Sequence, residues 1–192
     1  MDVSITNLLD MILRLPESGA KIAYKYTSTP ALFHGVKFDM RYYLLLRNIR
    51  PLKLYVHKIF QVRFASKPFS MKELDDDEVH LTSVNDIDCQ TFINMYGENW
   101  SMIEERIFQM FRELFHCATN EEPPMGIGSC LSSRAVYAAD VIIEINDKNE
   151  LQPKLLEINS TIDYYRENFY NQVFNILFRD LTDEQNILDI SI

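Results

Sequence analysis

The hydrophobic period of this chain changes several times, and each change predicts an element. Polar and apolar residues alternate from Lys21 to Thr27, which predicts a strand ending at Ser28-Thr29-Pro30. The same two-residue period predicts strands at Lys37 to Arg47 and Leu52 to Phe64, joined by Asn48-Ile49-Arg50-Pro51. Their tyrosines, phenylalanines, valines and leucines suit a pleated surface. Two further strands, near Ala135 to Asn146 and Leu151 to Asn159, flank the tight connection Asp147-Lys148-Asn149-Glu150. That arrangement predicts an antiparallel hairpin.

Helical spacing appears in three places. Thr6 can cap a short helix that carries Leu8, Leu9, Ile12 and Leu13 on one side and closes at Pro16. Ser101 and Glu104 read as a capping box ahead of Ile103, Ile107, Met110, Phe111 and Leu114. A last helix is expected near Asn168 to Arg179, with Phe169, Val173, Phe174 and Leu177 as its apolar stripe. Ser70 to His80 is polar, and its acidic run Asp75-Asp76-Asp77-Glu78 predicts a solvated loop or short helix face without EF-hand spacing. Glu121-Glu122-Pro123-Pro124 breaks the chain, and Gly126 and Gly128 extend the loop. The pattern as a whole is α+β, an antiparallel sheet with helices mainly on one face.

Composition narrows this picture. At 192 residues, 47% hydrophobic and 24% charged, the chain suits one globular domain or one large piece of a domain pair. No apolar run approaches the ~20 residues of a membrane span, and the acidic start lacks a signal-peptide cleavage site. Cys89, Cys117 and Cys130 are odd in number and lack CxxC spacing, which fits reduced thiols in a cytosolic protein. The net charge of −9 is unevenly spread: Lys37 to Lys72 holds nine Lys or Arg and one acid, Asp39. A basic zone in an acidic chain suits a local anionic ligand such as phosphate or an acidic peptide, rather than nucleic acid. Solvated charges on exposed strands would give the same pattern.

Within that zone lies KFDMRYYLLL, where Lys37, Asp39 and Arg41 share one strand face. The second hairpin offers a counterpart. If Asn146 pairs with Leu151, Asp140 lies opposite Glu157, and Asn159 projects from the same face beside Ala138. Facing carboxylates repel, and a shared cation removes the repulsion. An Asp, a Glu and an Asn amide oxygen are a hard oxygen set suited to Mg²⁺. An ordinary acidic hairpin edge is the other reading. Together, two cations and a magnesium pair would suit a nucleoside triphosphate. There is no Walker A loop, Rossmann fingerprint or GxSxG, and His34, His57, His80 and His116 lack metal-ligand spacing.

The order YKYTSTPALF, KFDMRYYLLL, RFASKPF, HLTS and LLEINS resembles the catalytic region of the tubulin–tyrosine ligase-like family, over about Ile5 to Phe178. ITNLLDMILRL and SSRAVYAAD are similar to the branch that carries an N-terminal SET-like region. The resemblance implies the C-terminal subdomain of an ATP-grasp fold. It implies an ATP- and Mg²⁺-dependent ligase that activates a carboxylate as an acyl-phosphate, which an amine then attacks, adding an amino acid to tubulin or another acidic protein. By the same resemblance, Tyr24, Lys25, Tyr26 and Thr27 meet the adenine largely through backbone, and Lys37 and Asp39 contact the nucleotide. Arg41 would sit near the transferred phosphate, Arg63 would face the acidic tail, and Asp140, Glu157 and Asn159 would be the magnesium ligands. A cytoplasmic setting, with microtubule association as a finer option, goes with it; no nucleic-acid or membrane partner does.

Three departures accompany the resemblance. Residues 1–192 are expected to be a partial domain, because the family's first subdomain, with its KPxxxxxRG phosphate loop, should precede Met1. HLTN is replaced by HLTS, which places Ser83 where an amide would sit, with Asn85 near by. Ser160-Thr161-Ile162-Asp163 stands in place of a proline-containing loop. These departures imply an alternative, a ligase-like module that binds nucleotide or tubulin and performs no ligation.

Overall fold

The computed structural model describes residues 4–14, 17, 19, 22–84, 87–128, 130–132, 134–162, 168–179, 181 and 184–191, and of Val84 and Glu98 the backbone alone. The ordered framework is one antiparallel sheet. Its strands are β1 (Leu32–Phe33), β2 (Val36–Ile49), β3 (Leu52–Pro68), β4 (Ser83–Val84), β5 (Ala135–Ile145), β6 (Leu151–Asn159) and β7 (Ile187–Asp189). The main path runs β4-β3-β2-β5-β6, with β1 paired to β2 and β7 to β3. The two strands expected to form a long pair, β2 and β3, are therefore neighbours inside the sheet. The helices are α1 (Leu9–Leu13), α2 (Asp77–His80), α3 (Cys89–Tyr96), α4 (Trp100–Asn120) and α5 (Phe169–Phe178).

The strands' two-residue period divides the core between two faces. Phe38, Met40, Tyr42, Leu44 and Leu46 of β2, with Phe60 and Val62 of β3 and Val141 of β5, meet α3 and α4. Phe92, Trp100, Ile103, Ile107 and Phe111 cover them, and Phe60 stacks between Tyr42 at 4.7 Å and Trp100 at 5.3 Å. On the opposite face, Tyr43 and Leu45 of β2, Tyr55 of β3 and Ala138 of β5 lie beneath Phe169, Val173, Ile176 and Leu177 of α5. That second face is apolar only toward one end of β2. Toward the other end it carries Lys37, Asp39 and Arg41.

Several expectations change. Residues 22–27 form no strand; Lys21 lies outside the described residues. Ile22 and Tyr24 are exposed, so the alternating stretch has no neighbour to complete a ladder. Helix α4 begins at Trp100 and follows the 3₁₀ turn Gly97–Asn99, so Ser101 is already helical and no side chain caps the start. The capping is one element earlier: Asp88 accepts from the Thr91 N–H at the start of α3, a helix that the sequence pattern did not announce. Thr6 accepts from Leu8 N–H ahead of α1, whose residues are all exposed; Pro16 lies outside the described residues. On α5, Phe174 points outward and Ile176 takes its expected place in the core. The acidic run is, as expected, a loop opening into a short helix: Asp77 and Glu78 begin α2, and Asp76 caps it by accepting from Glu78 N–H.

The second hairpin contains the most instructive difference. At its turn Ile145 pairs with Leu151, one residue from the register expected from sequence. A bulge between Asp140 and Val141 then leaves Leu156 unpaired, and beyond it Asp140 faces Glu157 and Ala138 faces Asn159. The expected site register thus holds where it matters, through an irregularity that the residue pattern did not reveal. Without that extra residue, Glu157 would point to the other face.

Candidate nucleotide and metal site

Register brings opposite charges together at the polar end of β2. Asp39 pairs directly with Arg63 of β3, and Arg41 with Asp140 of β5. Direct cross-strand neighbours lie close enough for side chains to bond. Arg41 donates from Nε to Asp140 Oδ1 and from a terminal nitrogen to Oδ2, both at 2.7 Å. This is the two-pronged geometry in which a guanidinium matches a carboxylate best. Arg63 donates Nε to Asp39 Oδ1 at 2.5 Å, and a terminal nitrogen reaches Asp140 Oδ2 at 2.9 Å. Its side chain therefore reaches over β2, and with the Asp140 carboxylate it bridges two interstrand spacings, ~9.6 Å between backbones.

The group is largely removed from water. Asp39 and Asp140 are buried, Arg63 is nearly so, and only Glu157, with half its side chain exposed, stands at the rim. Burial alone would raise the Asp140 carboxyl pKa, but the Arg41 bonds and the Arg63 charge outweigh it and hold it below the usual value. The Arg41 pKa is raised, chiefly by its bond to Asp140. Burial opposes the Arg63 charge, yet Asp39 and Asp140 more than compensate. Glu157 Oε1 lies 3.9 Å from Arg41 and accepts from the Asn159 amide at 2.8 Å.

A second group adjoins this one through His80-Leu81-Thr82. Lys37 donates to the His80 carbonyl at 2.7 Å and lies 3.4 Å from the Tyr26 hydroxyl. Two residues along each chain, the Thr82 hydroxyl donates to Asp39 Oδ2. His80 Nε2 meets the Glu73 carbonyl at 2.9 Å, so it carries the proton, and Nδ1 accepts from the Tyr26 hydroxyl at 2.8 Å. Desolvation lowers the Lys37 pKa, with Asp39 opposing that shift. His80 and Thr82 were missed by sequence reasoning about the site. Their signal was the HLTS stretch itself, residues 80–83, which carries both.

The structure thus gathers Tyr26, Lys37, Asp39, Arg41, Arg63, Asp140, Glu157 and Asn159 at one end of one face. Tyr24 is exposed, while Lys25 and Thr27 flank the anchored Tyr26. Ser83 belongs to β4 and pairs with Phe64; Asn85 and Asp163 lie outside the described residues. Among the described residues, no three His, Cys, Asp or Glu side chains form a metal cluster. A magnesium ion held by Asp140 and Glu157 would need the Asn159 amide oxygen as a third donor, and the three together are a hard oxygen set of the kind magnesium takes.

Comparison with known proteins bears on the fold and the family. The crystal structure of the C-terminal domain from K. lactis Pby1, an ATP-grasp enzyme interacting with the mRNA decapping enzyme Dcp2, matches with TM-score 0.63 and 19% identity. The match covers 87% of this chain and 51% of that one and shows a shared fold. Tubulin–tyrosine ligase-like protein 12 of Mus musculus is 36% identical over 99% of this chain and 34% of its own length. The Caenorhabditis elegans protein of that name is 33% identical over 99% of this chain and 32% of its own. A probable tubulin polyglutamylase of C. elegans, ttll-9, is 27% identical over 86% of this chain and 42% of its own. The chain spans about a third of the length of the protein 12 relatives. A model of the tubulin-tyrosine ligase family matches residues 1–187, and the chain belongs to that family.

Proposed function

We propose that the charged end of β2 is the phosphate-facing wall of an ATP site. In this reading the chain contributes to an ATP- and magnesium-dependent ligase that adds an amino acid to tubulin or another acidic protein. The supporting observation is the placement of Lys37, Arg41, Arg63, Asp140 and Glu157 on one face by strand register. Arg41 lies beside both acids and would meet the transferred phosphate. Lys37, which a short side-chain motion would release from the His80 carbonyl, would contact the nucleotide with Asp39. The backbone of Tyr24 to Thr27 joins no ladder and would offer its polar groups to an adenine edge, with Tyr26 as the anchor. Arg63 would meet an acidic tail only by loosening its bonds to Asp39 and Asp140.

Asp140, Glu157 and Asn159 would hold the divalent cation. Such a cation would supply charge neutralisation for phosphate oxygens during transfer to the substrate carboxylate. In the ligation, a carboxylate oxygen takes the terminal phosphoryl group and ADP leaves. An amine then displaces phosphate to form the amide. Arg41 would balance charge on the phosphoryl oxygens during both steps.

The commitment of Asp140 to two arginines favours a second reading, a module that binds nucleotide without ligation. Calorimetric titration of the chain with Mg·ATP tests the site itself. We expect binding that weakens at least about tenfold in Glu157→Gln, whose half-exposed side chain can change without unmaking the core. Unaltered affinity in that variant and in Arg41→Lys would remove the site assignment. Amino-acid incorporation into a tubulin-tail peptide then separates ligase from binding module.

A further inference from the structure

We propose that nucleotide and divalent cation enter this site only as a pair, because Arg41 and Arg63 occupy Asp140 until phosphate takes them away. The inference rests on the nucleotide reading above and adds its order of binding. Three of the acceptor positions of the Asp140 carboxylate are filled: Oδ1 by Arg41, and Oδ2 by both Arg41 and Arg63. A metal ion approaching Asp140 therefore meets two guanidinium groups at its only buried donor.

The charges explain why neither partner suffices alone. Lys37, Arg41 and Arg63 stand against Asp39, Asp140 and Glu157, so the site as it stands is electrically balanced. A dication alone would add two positive charges to a balanced and mostly buried group, and would leave the displaced guanidiniums without counter-ions. Phosphate alone would draw the guanidiniums outward and strand Asp140. Supplied together, phosphate receives Arg41 and Arg63 while Asp140 passes to the metal, and every charge keeps a partner. Arg63 still retains Asp39, itself held by Thr82, as a point from which to swing. Arg63, by moving from Asp140 to phosphate, thus controls when Asp140 becomes a ligand. The coupling must be reciprocal: metal raises nucleotide affinity by the factor by which nucleotide raises metal affinity.

The test uses the 192-residue chain and Mn²⁺, counted as free ion by electron paramagnetic resonance, with a non-hydrolysable ATP analogue. Mn²⁺ alone should bind the wild type weakly, and Arg63→Gln should bind it at least about tenfold more tightly. Asp140→Asn in the Arg63→Gln background should abolish that gain. Analogue affinity in EDTA should rise at least about tenfold when saturating Mg²⁺ is added to the wild type. Mn²⁺ binding by wild type as tight as by Arg63→Gln, or analogue affinity indifferent to Mg²⁺, overturns the proposal. The wild-type measurement decides the matter even if a variant fails to fold. Failure of the nucleotide reading looks different: the analogue does not bind with or without metal, while the Mn²⁺ comparison between wild type and Arg63→Gln still reports on the arginines.

Discussion

The two ends of β2 face the same side of the sheet and are both buried, yet they are held by different physics. At one end Tyr43 and Leu45 lie beneath α5, with Phe169 against Tyr43 at 5.2 Å. Apart from the Tyr43 hydroxyl, which donates to Gln61 Oε1 at 2.9 Å, the contacts described there are apolar packing, which tolerates exchange between side chains of similar volume. At the other end Asp39, Arg41, Arg63 and Asp140 satisfy one another through bonds of fixed geometry. There identity matters, because each member is the counter-ion of another. The contrast teaches where evolution of function has room on this sheet. Apolar packing fixes the strand, and the charged end is a balanced set that a ligand of matching charge can enter.

Breaking the charged end should have the largest effect. Asp140→Ala removes the shared acceptor of two largely buried guanidiniums, and we expect a loss of about 3–5 kcal/mol. Urea denaturation measures it; a loss below about 1 kcal/mol would mean that water already screens the network. Replacing Arg41 and Asp140 together with Met and Leu should recover much of that loss, since a well-packed apolar pair can match a buried ion pair.

Acid should break the same end more gently. The folded Asp140 pKa is depressed, so the unfolded chain binds its proton at higher pH than the folded chain does. The group therefore contributes stability above its unfolded pKa of about 3.9, and this contribution falls as pH drops through the folded value. Denaturation midpoints should decline below about pH 4. In Asp140→Asn the part of the decline due to this group should be absent, and an identical decline in that variant would remove Asp140 as the cause.

Much of this contrast could be read from sequence, but unevenly. The alternation of Lys37, Asp39 and Arg41 gave their common face, since strand geometry alone dictates it. The pairing of Asp140 with Glu157 also emerged, although the turn register was one residue off and a bulge at Leu156 restored it. Bulges depend on the twist and packing of the whole sheet, so local pattern does not encode them. The partners of the charges were hidden for another reason. Arg63 sits 22 residues beyond Arg41 in sequence and in the strand after it, and only the fold brings it to Asp140. Helix α3 was hidden because its eight residues are too few for a repeating stripe. The strand expected from Lys21 to Thr27 failed, over its described residues 22–27, from the opposite cause: alternation was present, but no ladder partner was.

The apolar end should give the smallest response, and it sharpens the comparison by showing tolerance. Ile176 is fully buried on α5, facing the half of the sheet that carries Tyr43 and Leu45. Ile176→Val removes one methyl group, and the expected cost is about 0.5–1.5 kcal/mol. The remaining neighbours can relax toward the gap because none of them is held by a directional bond to the lost atom. The charged network, at the other end of the face, should not register the change. Mg·ATP affinity should therefore match the wild type within about twofold, a difference near 0.4 kcal/mol. A larger loss of affinity would mean that α5 transmits strain along β2, and that the two ends are one mechanical unit. Equal affinity with reduced stability would show that this sheet face keeps packing and ligand chemistry apart.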